Sequence, residues 1–435
     1  MLLVKQKLTS QYRRYTIAVS ESGAASGRTA PRPAGTGWFT VRMAEPTRAA
    51  SRPAGVGELF QLLRDGRPRT RSDLATVTGQ SRSTIAARVD ALLASGLVAP
   101  AGEATSTGGR PPATFAFNPA ARVVLAVDLG ATHARLALTD LAGTVLAEHG
   151  EPISIDAGPG AVLGRVVEIG RTLLERADRR ARDLASVGVG LPGPVEHSTG
   201  RPINPPIMPG WDDADVPGIL SERLDAPVLV DNDVNLMALG EHTARWSGVK
   251  HLLYVKVATG IGAGIILDGT LARGAQGSAG DLGHIAVPGG VDRPCRCGNT
   301  GCLEAVASGP AVAAALTAAG VPAATSSDVV ALVRAGNIEA SRAVREAGRS
   351  IGGVLAACVS MLNPSVIVVG GHVAAAGEHL IAGIREVVYR RSLPLATQHL
   401  RIVPTRTGTE AGVLGASAMA AEHVLSASAI DTLVG

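Results

Sequence analysis

Four side chains in one short stretch could hold a soft metal ion. Cys295, Cys297 and Cys302 are three of the four cysteines in the 435-residue chain, and His284 lies eleven residues before the first of them. Thiolate sulfur and imidazole nitrogen bind zinc tetrahedrally, and a closed set of four such ligands marks a structural site. Gly298 and Gly301 let the backbone turn tightly enough for closely spaced sulfurs to face one ion. The alternative is three buried thiols and a core histidine. C-x-C-x4-C beside a histidine fits that alternative poorly in a chain with so few cysteines.

Other polar residues stand at the ends of apolar runs. Asp231-Asn232-Asp233-Val-Asn235 follows Val228-Leu-Val230 directly, and a helix is predicted from about Leu236. Any of Asp231, Asn232 or Asp233 could cap that helix. Val123–Val127 leads into Asp128-Leu-Gly130-Ala-Thr132. Leu252–Val257 leads into Thr259-Gly260-Ile-Gly262-Ala-Gly264. Each reads as strand, glycine turn, strand. A further strand, Val366–Val369, ends in the pair Gly370-Gly371.

Gly283-His284, followed by Cys295-x-Cys297-Gly-x-x-Gly-Cys302-Leu-Glu304, resembles the signature of the ROK family of repressors, open reading frames and sugar kinases. The resemblance implies that His284, Cys295, Cys297 and Cys302 hold structural zinc, which braces a sugar pocket and does no chemistry itself. It implies that Asp281, His284 through its other edge, and Glu304 face the sugar. Leu191-Pro-Gly193-Pro-Val195 and Asn204–Trp211 are similar to family segments lining the sugar cleft, which adds Gly193. Asn232 and Asp233 would also touch the sugar. Asp233 would be the base that takes a hydroxyl proton, while positioning and charge neutralisation supply most of the rate. Asp128, Gly130 and Thr132 resemble the first phosphate loop of the actin-like sugar-kinase fold, where the acid helps place Mg²⁺. Thr259, Gly260 and Gly262 would face it across a cleft, with Gly370 and Gly371 on the adenine side of an ATP site. The chain departs from the family's kinases at Ala131 (glycine there), at Asp281 (glutamate) and at His133 (lysine, asparagine or serine). These departures speak against phosphoryl transfer.

The elements that would carry these residues fall into several segments. Residues 1–50 are rich in Ser, Gly, Ala, Pro and Arg and read as a disordered basic segment, with Met43 a candidate start. Residues 51–118 read as a winged helix-turn-helix. Val56, Leu59, Phe60, Leu62 and Leu63 have helical spacing. Thr70 and Asp73 form a capping pattern, and Gly79 ends that second helix. Ser81 caps a third helix with Ile85, Val89 and Leu92 on one face. Arg82, Ser83, Thr84 and Arg88 lie off that face, where side chains reach phosphates and base edges in a major groove. A β-hairpin wing follows with Arg110 at its tip, and this stretch resembles the winged helix of ROK repressors. Charge agrees with a nucleic-acid-binding arm on an acidic body. Residues 1–120 carry 16 Lys+Arg and 7 Asp+Glu, which leaves 25 basic and 30 acidic residues for the rest.

Residues 122–235 are expected to form a first actin-like lobe, and 236–424 a second lobe with the metal site. The last apolar helix, Ala411 to Val424, should pack back on the first lobe, and 425–435 reads as a tail. The fold class is α/β: a winged helix-turn-helix followed by a two-lobed actin-like, ribonuclease H-like sugar-kinase fold. No apolar run approaches the roughly 18 residues needed to span a membrane. Cysteines clustered as metal ligands suit the reducing cytoplasm. Two functions fit. One is a sugar-responsive DNA-binding repressor of carbohydrate-utilisation genes, a homo-dimer or tetramer on operator DNA with a sugar effector. The other is an ATP- and Mg²⁺-dependent sugar kinase carrying a DNA-binding domain. The winged helix and the charge asymmetry favour the repressor.

Overall fold

The computed structural model describes residues 55–104, 111–290 and 292–434. The expected wing tip at Arg110 and the basic segment 1–50 lie outside these residues. The chain opens with α1 (Val56–Leu63), β1 (Arg69–Thr70), α2 (Arg71–Thr78), α3 (Arg82–Ala94), β2 (Val98–Glu103) and β3 (Ala113–Phe117). At the head of α2 the Thr70 hydroxyl accepts from Asp73 N, and the Asp73 carboxylate accepts from Thr70 N. Gly79 closes α2 in the left-handed region at φ +69°. Leu59, Phe60, Leu63, Leu74, Ile85, Val89 and Leu92 are buried together. β3 pairs antiparallel with both β1 and β2.

The first lobe holds β4 (Val123–Leu129), β5 (His133–Asp140), β6 (Val145–Pro152), α4 (Pro159–Arg176), β7 (Leu184–Leu191), β8 (Val195–Glu196), β9 (Arg201–Pro202), α5 (Val216–Leu224) and β10 (Val228–Asn232). Every residue of β4 is buried, as an unbroken apolar run demands of a strand covered on both faces. α6 (Asp233–Arg245) then leads into the second lobe. That lobe holds β11 (Leu252–Val257), β12 (Ile261–Leu267), β13 (Thr270–Leu271), α7 (Leu303–Ala307), α8 (Gly309–Ala318), α9 (Ser326–Arg334), α10 (Ile338–Leu362), β14 (Val366–Gly370), α11 (Glu378–Arg391), α12 (Pro394–Thr397) and β15 (Arg401–Pro404).

The sheet orders are β10-β7-β4-β5-β6 and β13-β12-β11-β14-β15. Each sheet has an antiparallel meander of three strands, and two further strands add in parallel on the other side of the first. One topology is therefore used twice, the duplication expected of an actin-like fold. α6 and α13 (Ala411–Leu425) cross with backbones touching. A Cβ at Gly240 would overlap Ala411 O, and one at Gly415 would overlap Leu236 O. α13 also lies on the first sheet, where the Ser186 hydroxyl donates to Ala420 O at 3.0 Å.

Residues 425–435, read from composition as a tail, carry a further helix, α14 (Ala427–Val434). Ile430 is fully buried in the core that α1, α2 and α3 build, and that burial is what orders it. Among the described residues no single helix is long and apolar enough to cross a membrane.

Candidate functional site

The metal-ligand set is built by a loop between β13 and α7. Gly298 and Gly301 sit at φ +91° and +80°, so each turn needs glycine's freedom. Cys295 N donates to Asn299 O at 2.8 Å, which folds the CxC pair back on itself. His284 Nδ1 then lies 3.6 Å from Cys295 Sγ, and Cys297 Sγ lies 3.7 Å from Cys302 Sγ. All four ligand atoms fall within 4.8 Å of one another. Zinc–sulfur bonds of about 2.3 Å in a tetrahedron place two sulfurs about 3.8 Å apart. The residues fit such an ion. Burial and its neighbouring sulfurs push the Cys302 thiol well above its ordinary range, a shift that a bound cation would reverse.

The same loop reaches the cleft. His284 turns its other nitrogen, Nε2, toward Asp281 Oδ1 at 3.9 Å. Cys302 is the N-cap of α7, which carries Glu304. Glu304 Oε2 accepts from Ile261 N at 3.1 Å, in the glycine turn that opens β12. A Cβ at Gly260 would come 2.6 Å from that oxygen, which explains glycine there.

The D-N-D run sits at the junction of β10 and α6. Both ends of the Asn232 amide are engaged by backbone: Oδ1 accepts from Val234 N at 3.0 Å, and Nδ2 donates to Gly193 O at 2.8 Å. Asn232 is thus the helix cap, and it ties α6 to the loop holding Gly193. Asp231 is a buttress. Its oxygens take Asn235 Nδ2 at 2.8 Å and Arg273 Nε at 2.6 Å. Asp233 is buried, and its Oδ2 is paired with the Lys256 ammonium from β11.

Asp128, at the end of β4, is buried beside this pair. Burial, reinforced by the charge of Asp233, raises its carboxyl to about 7. His133 Nε2 approaches Asp128 Oδ2 at 4.0 Å. The His133 imidazole lies over Gly130, where any Cβ would overlap it. Burial first, then the Lys256 charge, holds this imidazole below its ordinary range. Thr132 is exposed beside it. Gly370 and Gly371 pack against their own sheet. A Cβ at Gly370 would overlap the Tyr254 hydroxyl, and one at Gly371 would come 2.5 Å from Val257 O. Gly262 faces Val234 in the same way, at 3.3 Å.

These observations test the expected ATP and Mg²⁺ site. An imidazole covers the first phosphate turn, an ammonium pairs with the acid beside it, and the glycine pair is explained by packing. The residues present do not fit Mg²⁺-ATP. Lys256 and Arg273 belong to no motif, and Asp231 carries only the reading of a possible helix cap. A lone lysine inside the apolar run Leu252–Val257 is the only signal that could have pointed to the first.

In the N-terminal three-helix unit, Arg82 and Ser83 are exposed at the start of α3, with Thr84 half-buried beside them. Ser81 Oγ accepts from Thr84 N at 3.1 Å. Arg88 Nη1 donates to Gln80 Oε1 at 2.6 Å, so this arginine is held across the turn that precedes its helix.

A family model described as the ROK family matches residues 124–423. The xylose repressor of Caldicellulosiruptor bescii is 27% identical over 382 residues, covering 85% of this chain and 95% of the relative. The glucokinase of Halalkalibacterium halodurans is 31% identical over 311 residues, 68% of this chain and 93% of the relative. A crystal structure described as a ROK family transcriptional regulator, homolog of the E. coli MLC protein, superposes with a TM-score of 0.74 at 27% identity. It covers 87% of this chain and 98% of its own.

Proposed function

The chain belongs to the ROK family, and from that premise we propose that it is a sugar-responsive DNA-binding repressor of carbohydrate-utilisation genes. One observation carries the reading: a pair of helices, α13 and α14, runs from the cleft to the DNA-reading domain. α13 begins against the cleft, where a Cβ at Gly412 would overlap the Asp128 carboxylate. It ends in α14, whose Asp431 carboxylate accepts from Gly57 N at 2.7 Å, at the head of α1. Glu422 of α13 also grips Arg64 of α1 at 2.7 Å. Repressor relatives align across both parts, whereas the glucokinase aligns over the smaller share.

Asp233, Asp281, Glu304 and the Nε2 edge of His284 offer the polar groups that a sugar's hydroxyls need. Gly193 packs against Pro205 and Met208 beside them, and its carbonyl holds Asn232. His284, Cys295, Cys297 and Cys302 would hold zinc, which supplies a fixed cross-link between the loop and α7. Sugar between the lobes favours the closed cleft, and the equilibrium shifts by the difference in affinity for the two states. Closure rotates the α6–α13 crossing, and α14 carries that rotation to α1. In a homodimer bound in the cytoplasm to two half-sites, this moves two copies of α3 out of register. Arg82, Ser83, Thr84 and Arg88 are the proposed DNA contacts.

The test starts with operator selection from a random duplex library. Affinity is then measured with a panel of pentoses, hexoses and N-acetylhexosamines. At least one sugar is expected to weaken binding by about tenfold or more, a coupling of about 1.4 kcal/mol. Unchanged affinity across the panel would sink the induction model. ADP release with Mg²⁺-ATP and the same panel, with Asp233→Asn as control, tests the kinase reading.

A further inference from the structure

In a phosphotransfer cleft, acidic groups face a divalent ion that bridges the phosphates of the nucleotide. The equivalent space in this chain is organised differently. Lys256 projects from β11, a central strand of the second sheet. Its neighbours across both adjacent strands are glycines: Gly262 on β12 and Gly370 on β14. No side chain of either cross-strand partner shields the lysine, so its stem runs clear to the first lobe. There the ammonium, on a side chain only 18% exposed, meets Asp233 Oδ2. Among the described residues no group donates to Asp233 Oδ1, which stays available to a ligand hydroxyl. His133 completes the arrangement by lying over Gly130, next to Asp128.

We propose that Lys256 is a resident counter-ion for Asp233, one that keeps nucleotide and divalent metal out of the cleft and fixes Asp233 as a hydrogen-bond acceptor for the sugar. The proposal rests on the sugar-sensing reading for its last clause only. It follows from charge placement. A metal ion held by Asp128, the acid that the resemblance assigns to Mg²⁺, would lie beside the Lys256 ammonium that already pairs with Asp233, and like charges brought that close repel. A carboxylate whose oxygen is already occupied by an ammonium is also poorly placed to take up a proton. Lys256 and His133 come from different lobes and converge on the neighbouring carboxyls of Asp233 and Asp128, so each supports the other.

The test counts metal-nucleotide binding without any sugar or DNA. Mn²⁺ with ATP is titrated with the full-length protein, and free Mn²⁺ is read by electron paramagnetic resonance. The wild type is expected to leave the signal of free Mn²⁺-ATP unchanged. Lys256→Thr, combined with His133→Asn, is expected to bind it at least about tenfold more tightly. Lys256→Gln, which still donates to Asp233 but carries no charge, replaces Lys256→Thr if thermal melting shows that variant unfolded. Stoichiometric binding by the wild type overturns the proposal, and so does a folded double variant that gains nothing. A second arm uses whichever sugar releases the operator. Its affinity should be unchanged by Mg²⁺-ATP in the wild type and should fall in Lys256→Gln. If no sugar releases DNA, the repressor reading fails while the Mn²⁺ count still decides the role of Lys256.

Discussion

Asp431 and Gly57 are 374 residues apart in sequence and joined by a 2.7 Å hydrogen bond. The residue at the N-cap of α1 is Gly55, which has no side chain to satisfy the helix's first amides. Asp431 supplies the missing acceptor from the other end of the chain, and its negative charge lies where the helix dipole favours it. Asp431→Ala should therefore destabilise the reading domain by about 1 kcal/mol, the usual worth of a lost cap. Asp431→Asn, which keeps an acceptor, should lose less. Thermal melting and operator affinity check both, and equal behaviour of the two variants would remove the cap from the account.

Cys297→Ser should release the metal and lower the melting temperature of the second lobe, since the binding free energy of a structural ion is folding free energy. Cys358→Ser is the control, because that buried cysteine lies on α10 and outside the ligand cluster. Elemental analysis reads the result. Metal content that stays the same in Cys297→Ser would exclude the site.

Arg88 is held by Gln80, which fixes its guanidinium before DNA arrives. Arg88→Ala should cost about 1–3 kcal/mol of operator binding if the arginine reads a base, and should only make the salt dependence shallower if it meets a phosphate. Gln80→Ala should weaken sequence preference in the same direction as Arg88→Ala but by less. Binding isotherms at several salt concentrations separate these cases, and no loss in either variant would count against α3 as the reading helix.

Asp128 should make the folded chain less stable as pH rises. Its carboxyl is raised to about 7 from an ordinary 3.8. Between those values the folded state keeps a proton that the unfolded chain has released, so stability falls across that window and levels off above it. Asp128→Asn copies the neutral form. Its melting temperature relative to the wild type should climb between about pH 5 and about pH 8. A difference that stays flat over that range would mean the group is not buried as described.

The cluster of His284, Cys295, Cys297 and Cys302 is legible in the chain because short-range spacing alone brings the four together. The same holds for the caps at Thr70 and Ser81, and for the buried strand Val123–Leu129, where local pattern and final environment agree. Lys256 was not legible, because its meaning lies in strand register. Only pairing opposite Gly262 and Gly370 shows that the side chain has a clear path to Asp233. Asn232 was read as a sugar contact, yet both ends of its amide are spent on backbone groups. The resemblance puts Gly370 and Gly371 on the adenine side of a nucleotide site, whereas a Cβ at either would meet Tyr254 or Val257. A glycine records that something lies close, and the sequence alone does not say what. Asp431 was invisible for a simpler reason: nothing local links the last helix to the first.

The closed core around Leu59, Phe60, Ile85, Leu425 and Ile430 has a consequence for synthesis. A ribosome makes α1, α2 and α3 well before the residues of α13 and α14 that complete their core. Until Ile430 and Asp431 have emerged, α1 lacks both its buried partner and its cap. A nascent chain that stops short of Ile430 would carry all of α1, α2 and α3, with the proposed DNA contacts, on an unfinished core. In this arrangement the support beneath α3 is complete only once α13 and α14 have been made.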